Sequence, residues 1–180
     1  YYSSYTDLFF DPEVDAVYIA SLHPLHKSLS IAAMEQGKAV LCEKPMGMQQ
    51  EEVREMILTA KKNNVFLMEA LWTRFNPAFE QVHQWISENQ IGPLRYINST
   101  FSFNALSRGV DSRVFNPEKG GGSLLDIGIY PLFLAYHFLG FPETISASAV
   151  LTDQKVDEQL GFIFSYAKAQ AMLYSSFAHN

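Results

Sequence analysis

The sequence predicts an α/β domain followed by an α+β domain: the C-terminal half of a doubly wound parallel sheet, then part of an open, mostly antiparallel sheet with a covering helix. Up to residue 89, strand-like and helix-like segments alternate with short connections, as in parallel β-α-β units. After Gly92-Pro93, strand-like runs follow one another, which is typical of antiparallel sheets. We assign residues 1–75 to the first domain and residues 76–180 to the second.

Hydrophobic patterning predicts the strands and helices of the alternating region. Parallel strands that are covered on both faces form nearly continuous apolar runs, and such runs occur at residues 14–21, 38–43 and 65–72. Apolar residues recur at helical spacing in three segments, at residues 24–37, 49–64 and 77–89. The first of these helices is predicted to end at Gly37, because glycine suits the left-handed position that follows a helix.

The second domain is predicted to hold strands with one long helix among them. The strand-like runs lie at residues 95–104, 144–152, 157–167 and 169–179, and the helix at residues 123–139 should cover one face of their sheet. Ser123 is placed to cap this helix. Because Pro131 lacks an N–H donor, we predict a break near Gly128, with Pro131 as the first residue of a second helical piece. Asp126 and Tyr130 would share a face of an uninterrupted helix.

Composition excludes several functional classes. Of 180 residues, 48% are hydrophobic and 18% are charged, which is typical of globular proteins. The net charge of −6 and the lack of a lysine and arginine cluster argue against nucleic-acid binding. Asp126 and Pro131 interrupt the most apolar stretch, residues 124–140, and argue against a membrane span. Cys42 is the single cysteine and cannot form an internal disulfide, so we expect a reducing, cytoplasmic location.

Sequence patterns for other site chemistries are missing. There is no HExxH motif, no CxxC motif and no close array of histidines and carboxylates, so we expect no metal centre. The GGGS segment at residues 120–123 lacks the ending of a phosphate loop and does not follow a predicted strand. No serine lies in a nucleophile elbow, which argues against acyl-transfer chemistry.

Polar and aromatic side chains follow each of the three predicted parallel strands, in the segments Ser21–His26, Glu43–Pro45 and Glu69–Phe75. Ligands of doubly wound sheets bind beyond the carboxyl ends of the strands, so these residues favour a pocket. Simpler roles stay open for them, in a turn or helix start (His23, His26), in the core (Trp72, Phe75) or in a surface ion pair (Lys44, Glu43).

Lys44 is the sharpest candidate for a chemical role. Pro45 biases Lys44 toward an extended conformation, so its ammonium group would project into the crevice and could polarise a substrate oxygen or lower the pKa of a neighbouring acid. The phenol of a tyrosine has a pKa of about 10, which is too high for a proton shuttle at neutral pH unless a positive charge lies close. If Lys44 and Tyr130 meet across the domain boundary, they form a general acid and the group that tunes it.

Four motifs in order extend over essentially the whole chain: VDAVYIASLHPLHK at residues 14–27, GKAVLCEKPMG at 37–47, FLMEALWTRFNP at 66–77 and GGGSLLDIGIYP at 120–131. In these motifs the sequence resembles the glucose-fructose oxidoreductase, inositol dehydrogenase and rhizopine-catabolism (Gfo/Idh/MocA) family of nicotinamide-dependent enzymes. It is most similar to the branch of dimeric dihydrodiol dehydrogenases and sugar dehydrogenases.

The resemblance implies a Rossmann domain followed by a sheet domain that forms the interface of a homodimer or higher homo-oligomer. It implies hydride transfer between NADP or NAD and a secondary alcohol or hemiacetal of a sugar or cyclic diol. The glycine-rich fingerprint of such a fold would precede residue 1, and the last strands would follow residue 180, so we expect the chain to be a fragment that binds dinucleotide poorly by itself. A non-catalytic sugar or nucleotide sensor with the same fold is the alternative.

The resemblance also assigns roles to individual residues. It implies catalytic roles for Lys44, in the Glu-Lys-Pro motif, and for Tyr130 and Asp126, in the Asp-x-Gly-x-Tyr motif. The Lys-Pro bond of such motifs is often cis, so we expect a cis Lys44-Pro45 bond. The residues implied around the cofactor are Ser21, His23, His26, Glu43, Lys44, Pro45, Trp72 and Arg74. Those implied around the substrate are Trp72, Arg95, Phe101, Asp126 and Tyr130.

Overall fold

A three-stranded parallel sheet organises the N-terminal part of the protein, whose computed structural model describes residues 1–179. The strands are β1 (Ala16–Ile19), β2 (Ala39–Glu43) and β3 (Leu67–Ala70), in the spatial order β1-β2-β3. Helix α1 (Tyr5–Phe10) precedes them, and helices α2 (His26–Glu35) and α3 (Gln50–Asn63) connect them. The prediction of parallel β-α-β units is therefore confirmed, whereas α1 had no counterpart in the sequence interpretation.

One face of this sheet is covered, although the sequence predicted cover on both. Burial alternates along β1, where Val17 and Ile19 are buried while Tyr18 is exposed. The order β1-β2-β3 means that both crossovers advance in the same direction, and right-handed crossovers then place α2 and α3 on the same face. The core of the unit lies on this face, where strand residues pack against Met34 and Met56 from the two helices.

Left-handed residues end helices α2 and α3. Gly37 has a φ of 76° and donates its N–H to the Met34 carbonyl at 3.0 Å, which confirms the prediction that the first helix stops there. Asn64 follows α3 with a φ of 52°, in the αL region that asparagine tolerates better than most residues. Each turn directs the chain into the next strand.

The chain divides into compact units between Leu71 and Trp72, whereas the sequence placed the division after residue 75. Trp72 belongs to the second unit, because its indole contacts Tyr130 there. A 3₁₀ turn (Trp72–Phe75) leads into helix α4 (Pro77–Ser87), which Asn76 caps by accepting a hydrogen bond from the Ala78 N–H.

A four-stranded mixed sheet forms the centre of the second unit, with strands β4 (Tyr96–Ser102), β5 (Thr144–Leu151), β6 (Asp157–Tyr166) and β7 (Ala169–Ser176) in the order β4-β7-β6-β5. The pairs β5-β6 and β6-β7 are antiparallel, as the short connections between them require. Strand β4 pairs with β7 in parallel, because a long connection that contains a helix separates it from the hairpins. The predicted open sheet, mostly antiparallel, is confirmed.

The predicted helix over residues 123–139 consists of a π-helical turn (Leu124–Gly128) followed by helix α5 (Ile129–Leu139). The break at Gly128 is confirmed, but Pro131 is the third residue of α5 rather than its first. The wider turn suits Pro131, because its ring removes an N–H and crowds the carbonyl one turn earlier. Residues 117–139 are long and apolar enough for a membrane span by composition, with mean hydropathy 1.3, yet α5 packs on β4 and β7, and this contact accounts for its apolar side chains.

The start of the π-helical turn is anchored by a carboxylate from strand β6. Asp157 accepts hydrogen bonds from the Ser123 hydroxyl at 2.7 Å and from the Leu124 N–H at 2.6 Å. The prediction that Ser123 caps the helix with its own side chain was wrong, because its hydroxyl donates to Asp157 instead. A carboxylate is the stronger acceptor, and a helix start favours negative charge.

Helix α4 packs on α5 through aromatic rings and a pair of histidines. The Phe79 and Phe133 rings stack with centroids 5.4 Å apart, and His83 Nδ1 lies 2.8 Å from His137 Nε2. One of these nitrogens must be unprotonated to accept the hydrogen bond. Burial lowers the pKa of His137, and the nearby positive charges of His83 and Arg74 lower it further.

We expect acid to weaken the unit through His137. Its pKa is lower in the folded protein than the usual value of about 6.5, so the unfolded chain binds more protons near that pH, and stability is lost as the pH falls below it. Urea unfolding at pH 5 and pH 7 measures this loss. His137→Phe keeps an aromatic ring and should reduce the difference between the two pH values, whereas replacement of the exposed His179 should leave it intact; an unchanged difference in His137→Phe would contradict this explanation.

Candidate active site

The carboxyl ends of the three parallel strands bring the predicted cofactor residues of the first unit to one edge of the sheet. Strand β2 ends at Glu43 and continues directly into Lys44 and Pro45, while Ser21 lies just beyond β1 and Glu69 lies near the end of β3. Because the strands are parallel, these ends lie side by side. A hydroxyl, two carboxylates and an ammonium group therefore share this edge.

Two carboxylates hold the turn after β2, and the Lys44-Pro45 peptide bond in it is cis, as expected. Glu43 accepts hydrogen bonds from the Tyr18 hydroxyl and from the Lys44 N–H, the second at 3.2 Å. The hydrogen bond to Glu43 raises the pKa of Tyr18, because it stabilises the protonated phenol. Glu69 accepts a hydrogen bond from the Met46 N–H at 2.7 Å on the other side of the turn.

His26 is fully buried beneath this turn. Its Nδ1 lies 2.8 Å from the Pro45 carbonyl oxygen, and its Nε2 lies 3.1 Å from the Ser21 carbonyl oxygen. Both ring nitrogens thus face backbone carbonyl oxygens, so His26 can hold the turn; its predicted place beside the cofactor stays a prediction. His23 is also buried, and its ring lies 5.6 Å from that of His26 in an edge-on arrangement.

Cys42 lies in the core directly before this turn. It is fully buried, and its Sγ lies 3.8 Å from the Met46 carbonyl oxygen. Burial raises the pKa of the Cys42 thiol to about 11; the neighbouring Ser30 hydroxyl works in the opposite direction, and the charges of Glu69 and Glu43 raise the pKa further. The thiol therefore has no nucleophilic character at neutral pH.

In the second unit, Tyr130 is surrounded by residues predicted to lie around the substrate. The Trp72 indole N–H donates a hydrogen bond to the Tyr130 hydroxyl oxygen at 3.1 Å, with the rings in an edge-on arrangement. The Phe101 ring lies 5.4 Å from the Tyr130 ring. Trp72 is 60% exposed, so it forms a wall around Tyr130 rather than part of the core.

Asp126 lies almost buried in the π-helical turn, where Arg113 binds it. Arg113 Nη2 donates to both carboxylate oxygens, at 3.1 and 3.2 Å. The spacing of Asp126 and Tyr130 had predicted a shared face on an uninterrupted α-helix. Asp126 instead belongs to a π-helical turn, in which side chains follow a different angular spacing around the axis. Sequence reasoning missed Arg113, because it belongs to a loop of short turns in which no periodic pattern indicates what a side chain meets.

Arg74 and Arg95 do not join this group within the second unit. Arg95 donates from Nη1 to the Lys168 carbonyl oxygen at 3.1 Å, beside the turn between β6 and β7. It precedes β4, whereas Phe101 lies near the other end of that strand, about 20 Å away at the usual rise per residue. Arg74 lies close enough to His137 to lower its pKa. The predicted roles of Arg74 beside the cofactor and of Arg95 beside the substrate stay predictions.

The glycine triplet, residues 120–122, packs against another part of the chain's own backbone. A Cβ atom at Gly121 would lie 2.8 Å from the Val114 carbonyl oxygen and 2.9 Å from the Asn116 backbone nitrogen, closer than any side chain tolerates. Gly121 and Gly122 donate their N–H groups to Asn116 and Val114, both at 2.9 Å. Within residues 1–179, the backbone of residues 114–116 therefore approaches Gly121, while the Asp157 side chain approaches Gly122.

Two family models match the chain in succession. A model described as an oxidoreductase family with an NAD-binding Rossmann fold matches residues 1–71, and the GFO/IDH/MocA C-terminal domain matches residues 79–180. The chain belongs to the Gfo/Idh/MocA oxidoreductase family. The family resemblance seen in the four sequence motifs is confirmed, and so is the fold class.

Among curated relatives, the chain is similar to trans-1,2-dihydrobenzene-1,2-diol dehydrogenases. It is 39% identical to the Xenopus tropicalis protein over 97% of this chain and 53% of that protein. Identity to the Danio rerio protein is 44%, over 88% of this chain and 47% of that protein. The chain therefore spans about half the length of the curated relatives it matches.

Solved structures of oxidoreductases share the fold. An aldose-aldose oxidoreductase from Caulobacter crescentus, complexed with glycerol, aligns with a TM-score of 0.91 and 28% identity over 99% of this chain and 55% of that chain. A 3-ketoreductase from Actinomadura kijaniata, in complex with TDP-benzene and NADP, aligns with a TM-score of 0.85 and 28% identity over 98% of this chain and 55% of that chain.

We expect the Cys42 thiol to be inert in the native protein. With its pKa raised to about 11 and its sulfur buried, dithionitrobenzoate at pH 8 should label it only in denaturant. The labelling rate with and without urea is the measurement. Rapid labelling of native protein would contradict the burial of β2 beside the Lys44-Pro45 turn.

Proposed function

We propose that the full-length protein is an NAD(P)-dependent oxidoreductase that transfers a hydride between nicotinamide and a secondary alcohol or hemiacetal of a sugar or cyclic diol. The observation that carries this proposal is the environment of Tyr130: its phenol oxygen accepts the Trp72 indole N–H and is flanked by aromatic rings. A phenol so held can exchange a proton with a substrate hydroxyl. Membership in an oxidoreductase family with an NAD-binding fold supports the redox half of the reaction.

The residues at the carboxyl end of the parallel sheet fit the nicotinamide half of a dinucleotide. Ser21, Glu43 and Lys44 offer a hydroxyl, a carboxylate and an ammonium group along one sheet edge, and such groups hydrogen-bond ribose hydroxyls and a carboxamide. The bound nicotinamide would accept or supply the hydride. Both NADP and NAD suit these groups, since the residues that choose between the two coenzymes in this fold lie elsewhere.

The chain's own contribution is proton handling and placement. Tyr130 would exchange the hydroxyl proton, and the Trp72 N–H would stabilise negative charge on the phenol oxygen. Lys44 would supply the positive charge that a developing phenolate or alkoxide needs. The buried His26 would hold the turn that carries Lys44, since it engages the Pro45 carbonyl oxygen.

The walls around Tyr130 support a ring-shaped, hydroxylated substrate. Trp72 and Phe101 offer flat apolar surface, against which one face of a sugar or cyclic diol can pack. Asp126 offers acceptor oxygens for a substrate hydroxyl. The names of the relatives, dihydrodiol dehydrogenases and an aldose-aldose oxidoreductase, agree with this substrate class.

We further infer that the protein works in the cytoplasm. The observation behind this inference is Cys42, a buried thiol with no partner for an internal disulfide, which suits a reducing compartment.

We expect Lys44→Ala and Tyr130→Phe in the full-length protein each to lower kcat by about 10²–10⁴-fold, because each removes a group that acts on the transferred proton. If both groups serve one step, the double variant should be little worse than the poorer single variant. The assay follows reduced-coenzyme absorbance with aldoses and cyclic diols. The control variants are Lys27→Ala, which removes an exposed ion pair with Glu55, and Tyr136→Phe, at an exposed ring.

Two outcomes of this assay would count against the proposal. Unchanged turnover in Lys44→Ala would remove Lys44 from the mechanism. Measurable sugar or coenzyme binding by the full-length protein, with no turnover of any substrate in the panel, would favour the alternative of a non-catalytic sensor.

We propose in addition that the protein is a homodimer or higher homo-oligomer formed through the face of the sheet opposite α5, which we call the outer face. Exposed side chains on it include Tyr96, Ile163 and Met172. A groove of about 400 Å³ crosses the same face. Apolar groups of this size on an open sheet favour burial against a second copy.

We expect Ile163→Glu to dissociate the oligomer, because a charge would be buried at the centre of the outer face. Leu58→Glu makes the same kind of change at an exposed position on α3 and should leave the assembly intact. Sedimentation velocity of the full-length protein measures both. An oligomer unaffected by Ile163→Glu would rule out this face.

A further inference from the structure

The contact between Arg113 and Asp126 differs from an ordinary surface ion pair. The Arg113 side chain is 40% exposed and that of Asp126 only 10%, whereas the Lys27 and Glu55 side chains of the surface pair are 35% and 57% exposed. Exposed pairs are weak and mobile because water competes for both groups. A carboxylate that is mostly withdrawn from water depends on its cation far more.

The backbone around Arg113 is fixed by two kinds of contact. Val114 and Phe115, the next two residues, are buried in a core cluster, and the Phe115 ring lies edge-on to Phe177 at 5.7 Å. The glycine triplet then closes against residues 114–116 from the other side, with Gly121 too close for any Cβ atom. The backbone that carries Arg113 is therefore held in place by residues 114–116, and its guanidinium group reaches Asp126 from this fixed backbone.

The geometry of the ion pair fixes the carboxylate plane. A single guanidinium nitrogen, Nη2, donates to both oxygens of Asp126. Rotation of the carboxyl group would lengthen at least one of these two hydrogen bonds. Asp126 lies only four residues before Tyr130, in the π-helical turn that leads into helix α5, to which Tyr130 belongs.

We propose that Arg113 is a positioning residue for the reaction: it holds the Asp126 carboxylate in one orientation, so that this group can receive a substrate hydroxyl beside Tyr130. This role rests on the proposed oxidoreductase function. This role also explains the glycine at residue 121. Only glycine there lets residues 114–116, which follow Arg113, pack against the segment before the helix. Arg113 itself does not touch the substrate.

The first test measures the ion pair without any assay of activity. Arg113→Met, Asp126→Asn and the double variant of the full-length protein are unfolded in urea, and the three changes in unfolding free energy form a double-mutant cycle. A strongly non-additive cycle is expected, because each single variant removes the same two hydrogen bonds. Arg108→Met, at an exposed arginine of the same loop, is the matched control and should be additive with Asp126→Asn.

The second test measures positioning through kinetics. Arg113→Met should lower kcat/KM on the order of 100-fold, as expected when a substrate-binding group is misplaced, and Arg113→Lys should recover only part of the loss, because the lysine ammonium ends one bond short of the guanidinium Nη2. Added guanidinium ion should restore activity to Arg113→Met but not to Asp126→Asn. Gly121→Ala should reproduce the kinetic defect with Arg113 still present.

The outcomes separate this inference from the proposed function. An additive cycle, or an Arg113→Met variant with unchanged kcat/KM, would overturn the positioning role while leaving the oxidoreductase proposal intact. A full-length protein without turnover on any substrate would instead count against the proposed function, and the cycle alone would then decide whether Arg113 orients Asp126. Rescue by guanidinium together with a non-additive cycle supports the inference, since lost folding alone would not respond to the ion.

Discussion

The carboxylate of Asp157 determines where the helical segment of the second unit begins, and the site in that unit depends on this contact. Its oxygen accepts the Ser123 hydroxyl and the Leu124 N–H within 2.7 Å, at the point where the π-helical turn starts. Asp126 and Tyr130 both lie on the segment that follows. A shift at this anchor would move the phenol and the Asp126 carboxylate together, and would disturb the hydrogen bond from Trp72. A strand residue thus sets the position of groups carried by a helix.

The first unit uses a buried side chain in a comparable way. His26 links the carbonyl oxygens of Ser21 and Pro45, which belong to segments that follow two different strands. Glu43 and Glu69 accept backbone N–H groups of the same turn from opposite sides. Each unit therefore keeps its chemically active groups partly accessible, while the polar contacts that orient them lie in the interior. Buried polar contacts of this kind are costly when broken, which favours a single arrangement.

Much of the fold could be predicted because the elements are long and regularly patterned. The continuous apolar runs predicted β1, β2 and β3, and the change of pattern after residue 93 predicted the second sheet. The two-face burial expected of β1 failed, because apolar character along a strand does not reveal which face a helix covers. The parallel pairing of β4 with β7 joins segments distant in sequence, and no local pattern encodes such a pairing.

The site was predictable to the extent that strand ends and motifs mark it. Lys44, Trp72 and Tyr130 were predicted in this way, whereas Phe101 was implied only by the family resemblance; the structure groups Phe101 with Trp72 and Tyr130. Arg113 was missed because it lies in a loop of short turns without periodicity, and Asp157 was missed because it acts on a residue 34 positions away in the sequence. The cap at Ser123 was assigned to the wrong side chain for the same reason: a local rule could not anticipate a stronger acceptor from a distant strand.

The π-helical turn has a further consequence for how such a site can change over evolution. Compared with an α-helical path, it holds about one extra residue, and one residue corresponds to about 100° of rotation around a helix axis. Loss of a single codon there would swing a different side chain into the place of Asp126 while the tyrosine, fixed by α5, kept its direction. A family could thus exchange the residue that lies beside this tyrosine by a one-residue deletion, without rebuilding the sheet beneath it.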